Sequence, residues 1–404
     1  MPTTSPTNYS TEFPIVIVGA SVRQFATSAN SLGINCIAID FFGDLETQSA
    51  SQCLTIRKFD ELSELLRNKL TGNSRLMIGG GLENQTRLLG DPLIQERLLG
   101  PSPVNIRRCK SPKELVGFCK KHQIPFPETS NQFPESDFSK WIAKPYASAG
   151  GAGIRKLGQS AIASACYYQR LVPGESISAL YQTDPREKNP TRLIGATHQL
   201  LGRPGDQERE FAYRGSIGPI ELAEESAAEL LRIGNIVASQ FQMAGLFGID
   251  FVVDDSKITL IEINPRATAS CEIFERAGTI ENSVAMHLSA FTENGKLPKP
   301  IQTRNNLPSD SLLHGKEIIF SGHPEPLPVS QTTFDNIKRL ACTSADTSTS
   351  KSNQPSIADI PNPDTVIESG HPIATVFASG TDTKKVHDNL NRHAQKLIRC
   401  FDLD

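Results

Sequence analysis

The stretch "GLFGIDFVVDDSKITLIEINPRATAS", residues 245–270, decides the fold. Two apolar runs, "GIDFVV" and "ITLIEINP", flank the polar Asp254-Asp255-Ser256 and predict a hairpin. Side chains alternate along a strand, so Glu262 and Asn264 share one face of the second strand. Asp250 lies on the partner strand, where pairing can bring it opposite them. Two carboxylates and an amide on one face are costly unless a charge compensates them. Oxygen-only ligands without Cys or His suit Mg²⁺, which keeps waters and takes further ligands from nucleotide phosphates. Arg266, just past the proline, would then face a phosphoryl group in transfer. The competing reading is a solvated polar face. The interleaved Ile261 and Ile263 and the abrupt Asn-Pro-Arg ending weigh against it.

Working outward, "IAKPYASAGGAGI", residues 142–154, ends a strand on Lys144 and runs into Gly150, Gly151 and Gly153. Such glycines bring backbone N–H groups close to phosphate oxygens, and the lysine adds a point charge. No GK[ST] follows, so this is not a Walker loop. A plain hairpin turn remains the alternative. In "YYQRLVPGESIS", residues 167–178, strand-like residues reach Val172 before the Pro173-Gly174 turn. An extended hinge there can pair with an adenine edge, and Glu175 can accept from ribose hydroxyls. A surface strand–turn–strand fits the same letters. "EFAYRGSIGPIEL", residues 210–222, offers Arg214 and Ser216 to a substrate carboxylate, or is an ordinary strand and turn.

The first hundred residues read as α/β. "FPIVIVGAS" is a strand ending at Gly19, "VRQFATSANSLG" a helix closed by Gly33, and "INCIAIDFFGD" a strand ending near Asp40. A third strand is expected at "RLMIGGG". The first turn holds one glycine of GxGxxG, although Asp40 stands at a distance suited to a ribose contact. The helix start near Ser21 and Arg23 can receive an anion. "SPKELVGFCKKHQIPFPETS", from Ser111, predicts a helix running into an extended segment.

The chain has 404 residues, 38% hydrophobic and 21% charged, with net charge −3, which suits two or three globular domains. That charge gives no reason to expect nucleic acid. No run approaches the roughly 20 apolar residues of a membrane span. The opening "MPTTSPTNYSTEF" lacks the layout of a signal peptide. Eight scattered cysteines, without CxxC or His pairing, read as reduced thiols in a cytoplasm and make no case for zinc.

In this order the features resemble the ATP-grasp superfamily of carboxylate–amine and carboxylate–thiol ligases, over roughly residues 13–290. E-x-N-P-R at Glu262–Arg266 is the most specific element. The resemblance implies the fold class α/β (α+β), with a Rossmann-like pre-domain at 13–107 and a small lobe with a glycine loop at 108–178. A large lobe with an antiparallel sheet follows at 179–295, and a β-rich C-terminal module at 300–404. It implies ATP and Mg²⁺ as cofactors, with Lys110 and Lys144 as nucleotide lysines and Gly150, Gly151 and Gly153 as the phosphate loop. Gln169, Arg170, Leu171 and Val172 become the adenine hinge, Glu175 the ribose partner, and Asp250, Glu262 and Asn264 the Mg²⁺ ligands. One departure is plain: the hinge of the family usually begins with glutamate, and Gln169-Arg170 stands there.

"VGASVRQFATSANSLG" and "ATHQLLG…FAYRGSIGP" further resemble a subgroup that includes tyramine–glutamate and pyrrolysine-pathway ligases, in which methanofuran and methanopterin pathways occur. The C-terminal third carries a Ser/Thr-rich linker at 342–356, then strand, strand and amphipathic helix. The expected activity is an ADP-forming carboxylate–amine ligase acting through an acyl phosphate, with Arg266 and Lys144 catalytic and Ser21, Arg23, Arg214 and Ser216 on the substrate. Its partners are then a small carboxylate and an amine, and homo-oligomerisation stays open. A carboxylase-like or kinase-like ATP-grasp enzyme is the main alternative. A nucleotide-binding regulatory module or an NAD(P) oxidoreductase is a more distant one.

Overall fold

A computed structural model describes residues 13–158, 165–202, 209–254, 257–292, 312–343 and 356–401. The opening tail before Phe13, Asp255 and Ser256 of the hairpin turn, and most of the 342–356 linker lie outside the described residues.

Four short parallel strands form the N-terminal sheet: β1 (Ile15–Val18), β2 (Cys36–Asp40), β3 (Gln52–Thr55) and β4 (Arg75–Ile78), in the order β3-β2-β1-β4. β1 is wholly buried, as an apolar strand covered on both faces must be. Between β1 and β2 runs the helix Arg23–Ser31, with Gly33 in the left-handed region just beyond it. "RLMIGGG" holds the fourth strand rather than the third. β3 is an edge strand of partly exposed residues, too short and polar to stand out in the sequence. Asp40 is turned into the fold. It is fully buried and accepts the backbone N–H groups of Val22, Phe42 and Gly43 at 3.2, 3.1 and 2.8 Å.

The helix Pro112–Lys121, capped by Ser111, leads into a small antiparallel sheet. That sheet comprises β5 (Thr129–Ser130), β6 (Trp141–Pro145), β7 (Arg155–Lys156) and β8 (Cys166–Arg170), ordered β5-β8-β6-β7. A large sheet follows, built from β9 (Glu175–Thr183), β10 (Thr191–Leu201), β11 (Tyr213–Gly218), β12 (Gly245–Asp254), β13 (Lys257–Asn264) and β14 (Leu313–Phe320). β15 (Leu327–Pro328) and β17 (Val366–Ile367) pair separately, whereas β16 (Ile357–Ala358) and β18 (Pro372–Gly380) rejoin the large sheet. Its order is β13-β12-β9-β10-β11-β14-β18-β16, with every neighbouring pair antiparallel. The C-terminal strands therefore extend the sheet of the large lobe. The boundary expected at 178 falls inside β9, which pairs with β12 without a break from Glu175 to Thr183.

One face of this sheet is closed by the helix Glu224–Phe241, whose Leu230, Ile233, Val237 and Phe241 meet Ile177, Phe247 and Leu260. Each such buried side chain contributes about 1.5–3 kcal/mol. Tyr181 stacks on Phe247 with centroids 5.1 Å apart, and its hydroxyl donates to Leu230 O at 2.9 Å. A second core joins Phe25 and Ala29 to Leu246, Phe274 and Val284, seating the N-terminal domain against the large lobe. Among the described residues no helix is long and apolar enough to cross a membrane.

Candidate active site

The hairpin at β12 and β13 forms in the expected register. Asp250 is the direct partner of Glu262, and Gly248 of Asn264. A bulge after Asp250 lets both Ile261 and Glu262 reach the same cavity. Asn264 Nδ2 donates to Asp250 Oδ2 at 3.0 Å, while Asp250 Oδ1 is buried without a partner among the described residues. Burial and the neighbouring Glu262 push the Asp250 carboxyl up. Burial would raise Glu262 too, but Lys110, Lys144 and Arg266 outweigh it and hold that carboxyl down. The pair is thus split into a reluctant and a willing anion.

Three cations surround the pair. Lys110 closes the helix Pro103–Cys109, and its Nζ lies 3.6 Å from Glu262 Oε2. Lys144, on β6, donates to Gln169 Oε1 at 3.1 Å, and Gln169 Nε2 donates to Thr129 Oγ1 at 3.2 Å. Burial pushes the Lys144 ammonium down while Glu262 opposes it. Arg266 donates from Nε and Nη2 to Glu83 Oε1, at 2.9 and 2.8 Å, and from Nη1 to Ala267 O at 3.1 Å. Glu83 follows Gly79-Gly80-Gly81 in the N-terminal domain and is 1% exposed. Burial would raise its carboxyl, but Arg266 and Lys110 hold it below the ordinary range. Nothing in the sequence singled it out, although a carboxylate separated from three glycines by one residue was a legible signal.

The glycine loop is both a hairpin, since β6 and β7 pair, and a wall of the cavity. Gly150 O accepts Tyr213 N–H at 2.8 Å, and Ser148 O accepts from Asn84 Nδ2 at 3.0 Å. Gly151 has φ +73°, and a Cβ there would lie 1.9 Å from Phe211 O. Only glycine permits that approach. The loop therefore bridges from β6 to the strand opposite and to the N-terminal domain.

Below it lies a cavity of about 820 Å³. Ile142, Leu171, Val172, Leu201, Phe211 and Phe251 line its apolar end. Asp250, Glu262, Asn264 and Arg266 line the polar one. The hinge from Gln169 to Val172 borders the apolar end. Arg170 turns its guanidinium away, toward Glu128 and Asp137 at 3.7 and 3.9 Å.

Several expected site residues face elsewhere. The Glu175 carboxylate is 76% exposed and sits 3.6 Å from His198 Nδ1, while Ser176 and Ser178 reach the cavity. The turn at Gly174, φ +129° with Val253 O 2.4 Å from where a Cβ would stand, sets that parity. Arg23 is buried against two carboxylates: it holds Glu272 bidentately, and its Nε donates to Asp359 Oδ1 at 2.9 Å. Ser21 is exposed and borders no part of the cavity. Arg214 is paired with Glu317. Of the four substrate candidates only Ser216 lines the cavity, with its Oγ 2.9 Å from Tyr213 Oη. Tyr213, Ser178, Thr268 and Ser270 line it without having been singled out in the sequence.

A family model for the ATP-grasp domain matches residues 111–270. An uncharacterized protein of Methanocaldococcus jannaschii is 28% identical over 166 residues, 41% of this chain and 33% of that protein. The chain thus aligns with about a third of that relative's length. An Aspergillus clavatus carboxyaminoimidazole ribonucleotide synthase complexed with ATP superimposes with TM-score 0.68 at 14% identity, covering 96% of this chain and 98% of that one. The biotin carboxylase domain of Hydrogenobacter thermophilus 2-oxoglutarate carboxylase, solved with MgADP, ADP and bicarbonate, gives TM-score 0.65 at 11% identity, covering 94% and 89%. The hairpin, the glycine loop and the hinge are arranged around one cavity, and the chain has the ATP-grasp fold, with the match to the ATP-grasp domain over residues 111–270.

Proposed function

We propose that this protein is an ATP-dependent, ADP-forming ligase that joins a carboxylate to an amine. The observation that carries this reading is the placement of Asp250, Glu262 and Asn264, ringed by Lys110, Lys144 and Arg266, at the polar end of a cavity whose other end is apolar. The apolar end at Leu171 and Val172 suits a nucleobase, and the polar end suits its phosphates. The donor set fits Mg²⁺: two carboxylates and an amide oxygen, one carboxylate oxygen buried without a partner. Mg²⁺ takes the rest of its ligands from phosphates and water. When bound, Mg²⁺ supplies charge neutralisation on the phosphate oxygens.

The chain's own residues do the rest. Lys144 and the amides of the glycine loop hold the phosphates, and Arg266, braced by Glu83, faces the transferring group. A substrate carboxylate attacks the γ-phosphorus, the bond to the β–γ bridging oxygen breaks, and ADP leaves an acyl phosphate. An amine then attacks the acyl carbon, phosphate departs, and the nitrogen loses its proton to give an amide. Catalysis of this kind is chiefly positioning and electrostatics. Two stretches that resemble tyramine–glutamate ligases suggest one-carbon cofactor synthesis as the setting.

A carboxylase-like reading, with bicarbonate as the acid, is favoured by the likeness to a biotin carboxylase domain solved with bicarbonate. ADP release from Mg-ATP, screened over acids with and without amines, separates the two. Release that needs both an acid and an amine supports the ligase. Release with bicarbonate supports the carboxylase.

A further inference from the structure

The cavity lining carries two pairs of hydroxyls, Tyr213 with Ser216 and Thr268 with Ser270. Tyr213 Oη and Ser216 Oγ lie 2.9 Å apart, and Thr268 Oγ1 and Ser270 Oγ 2.8 Å apart. The carboxylates that line the cavity, Asp250 and Glu262, belong to the metal end. Beside Ser216, though not itself lining the cavity, stands Lys316 on β14, its direct register partner.

Lys316 is 7% exposed at its side chain and donates to Glu272 Oε2 at 3.2 Å. That is the ammonium's only hydrogen bond among the described residues, so two of its donors are unused. Its partner is already oversubscribed. Glu272 receives Arg23 bidentately and has Arg276 at 3.9 Å, while Asp359 shares Arg23. Three cations thus face two carboxylates in this ion-paired set. The nearby Glu275, bonded to Ser28 and Ser283, also acts on Arg276 and makes no ion pair with Lys316 among the described residues. Arg214, on the same strand as Ser216, has a buried Nε with no partner among the described residues. Burial raises the Tyr213 hydroxyl, Lys316 lowers it, and Glu272 and Asp250 raise it. That hydroxyl therefore stands within electrostatic reach of both the metal end and the lysine.

A wall of hydroxyls beside a buried ammonium with unused donors is suited to an anion. Lysine's flexible stem lets it turn from Glu272 toward the cavity without moving the backbone. We propose that Tyr213, Ser216 and Lys316 form the subsite for a non-reacting anionic group of the substrate, so that the acid activated here carries a second negative charge. The reacting carboxylate stays with Arg266 and the metal end, and Lys316 sets which acids are used. This rests on the ligase reading.

The test pairs diacids (malonate, succinate, glutarate, adipate) with monoacids of matched length, in ADP release and in calorimetric titration of the protein holding Mg-ADP. The expected result is a kcat/KM at least about tenfold higher for the best diacid than for its monoacid, the worth of one charge-assisted contact. Lys316→Gln should raise that diacid's KM about tenfold, with kcat and the KM for ATP little changed, and erase the preference. Ser216→Ala, which leaves the ion pairs intact, should shift KM the same way by a smaller factor and serves if Lys316→Gln fails to fold. Equal use of diacids and monoacids, or a diacid KM unmoved in both variants, overturns the subsite while leaving the ligase standing. Diacid binding that depends on Lys316, without ADP release from any acid, keeps the subsite and removes the ligase reading.

Discussion

Arg266 and Glu83, 183 residues apart in sequence, meet across the junction of the N-terminal domain and the large lobe. Both Nε and Nη2 of the arginine rest on a single oxygen of the carboxylate, whose other oxygen is buried without a partner among the described residues. Glu83 therefore aims the guanidinium that, in the proposed reaction, faces the phosphates. Glu83→Gln should lower kcat about tenfold to a hundredfold with the KM for ATP nearly unchanged, as loss of an orienting partner does. Glu83→Ala strands a buried cation and should also cost about 3–5 kcal/mol of stability. Steady-state kinetics and urea unfolding of the two variants check both statements.

Glu262 carries the charge that Asp250 gives up. Glu262→Gln should lower ADP release by about two orders of magnitude or more, because the electrostatic arrangement at the phosphates is lost. The fold should persist, since glutamine keeps the shape and Lys144 still has Asp250 nearby. Near-normal turnover in this variant would remove the metal assignment.

Gly151 is held against Phe211 O by space as well as by backbone angle. Gly151→Val should push the loop off the opposite strand and abolish the rise in melting temperature expected of the wild type with Mg-ATP. The bare protein should lose only about 1–3 kcal/mol, the cost of a strained backbone position. An unchanged nucleotide-dependent rise would mean that the loop turns the chain and does nothing for phosphates.

His287 offers a prediction on pH. Its Nδ1 accepts Leu246 N–H at 3.0 Å and its Nε2 lies 3.1 Å from Leu99 O. Burial lowers it from 6.5 to about 4. The folded protein thus keeps this ring neutral while the unfolded chain protonates it first. Its contribution is fully present above about 6.5 and is lost as the pH falls toward about 4, roughly 3 kcal/mol in all. His287→Gln should be less stable than wild type near neutrality and show a flatter decline over this window. Urea titrations of both proteins across it are the check; parallel declines would contradict it.

The elements legible in sequence were those written by local rules. Alternation through "ITLIEINP" put Glu262 and Asn264 on one face, and the described hairpin keeps them there. Three glycines after Lys144 marked a loop, and the Ser111-Pro112 start marked a helix. What failed was parity and partnership. The Pro173-Gly174 turn set which face of β9 the odd residues take, so Glu175 turned outward and Ser176 and Ser178 inward. Arg23 and Arg214 have the same letters whether they await a ligand or hold Glu272 and Glu317. Glu83 and Lys316 reach the site only through contacts between distant segments, which no local pattern announces.

The most direct test of the ligase reading follows one oxygen atom. ATP labelled at the β–γ bridge is incubated with the protein, Mg²⁺ and an acid that supports ADP release, with no amine present. A reversibly formed acyl phosphate leaves ADP whose β-phosphate rotates before the reverse transfer, so the label scrambles into non-bridging positions. Lys144→Ala should suppress the scrambling, since one positive charge at the phosphates is gone. Scrambling with acid alone is the predicted result. Scrambling that begins only once the amine is added would contradict an acyl phosphate formed ahead of the amine.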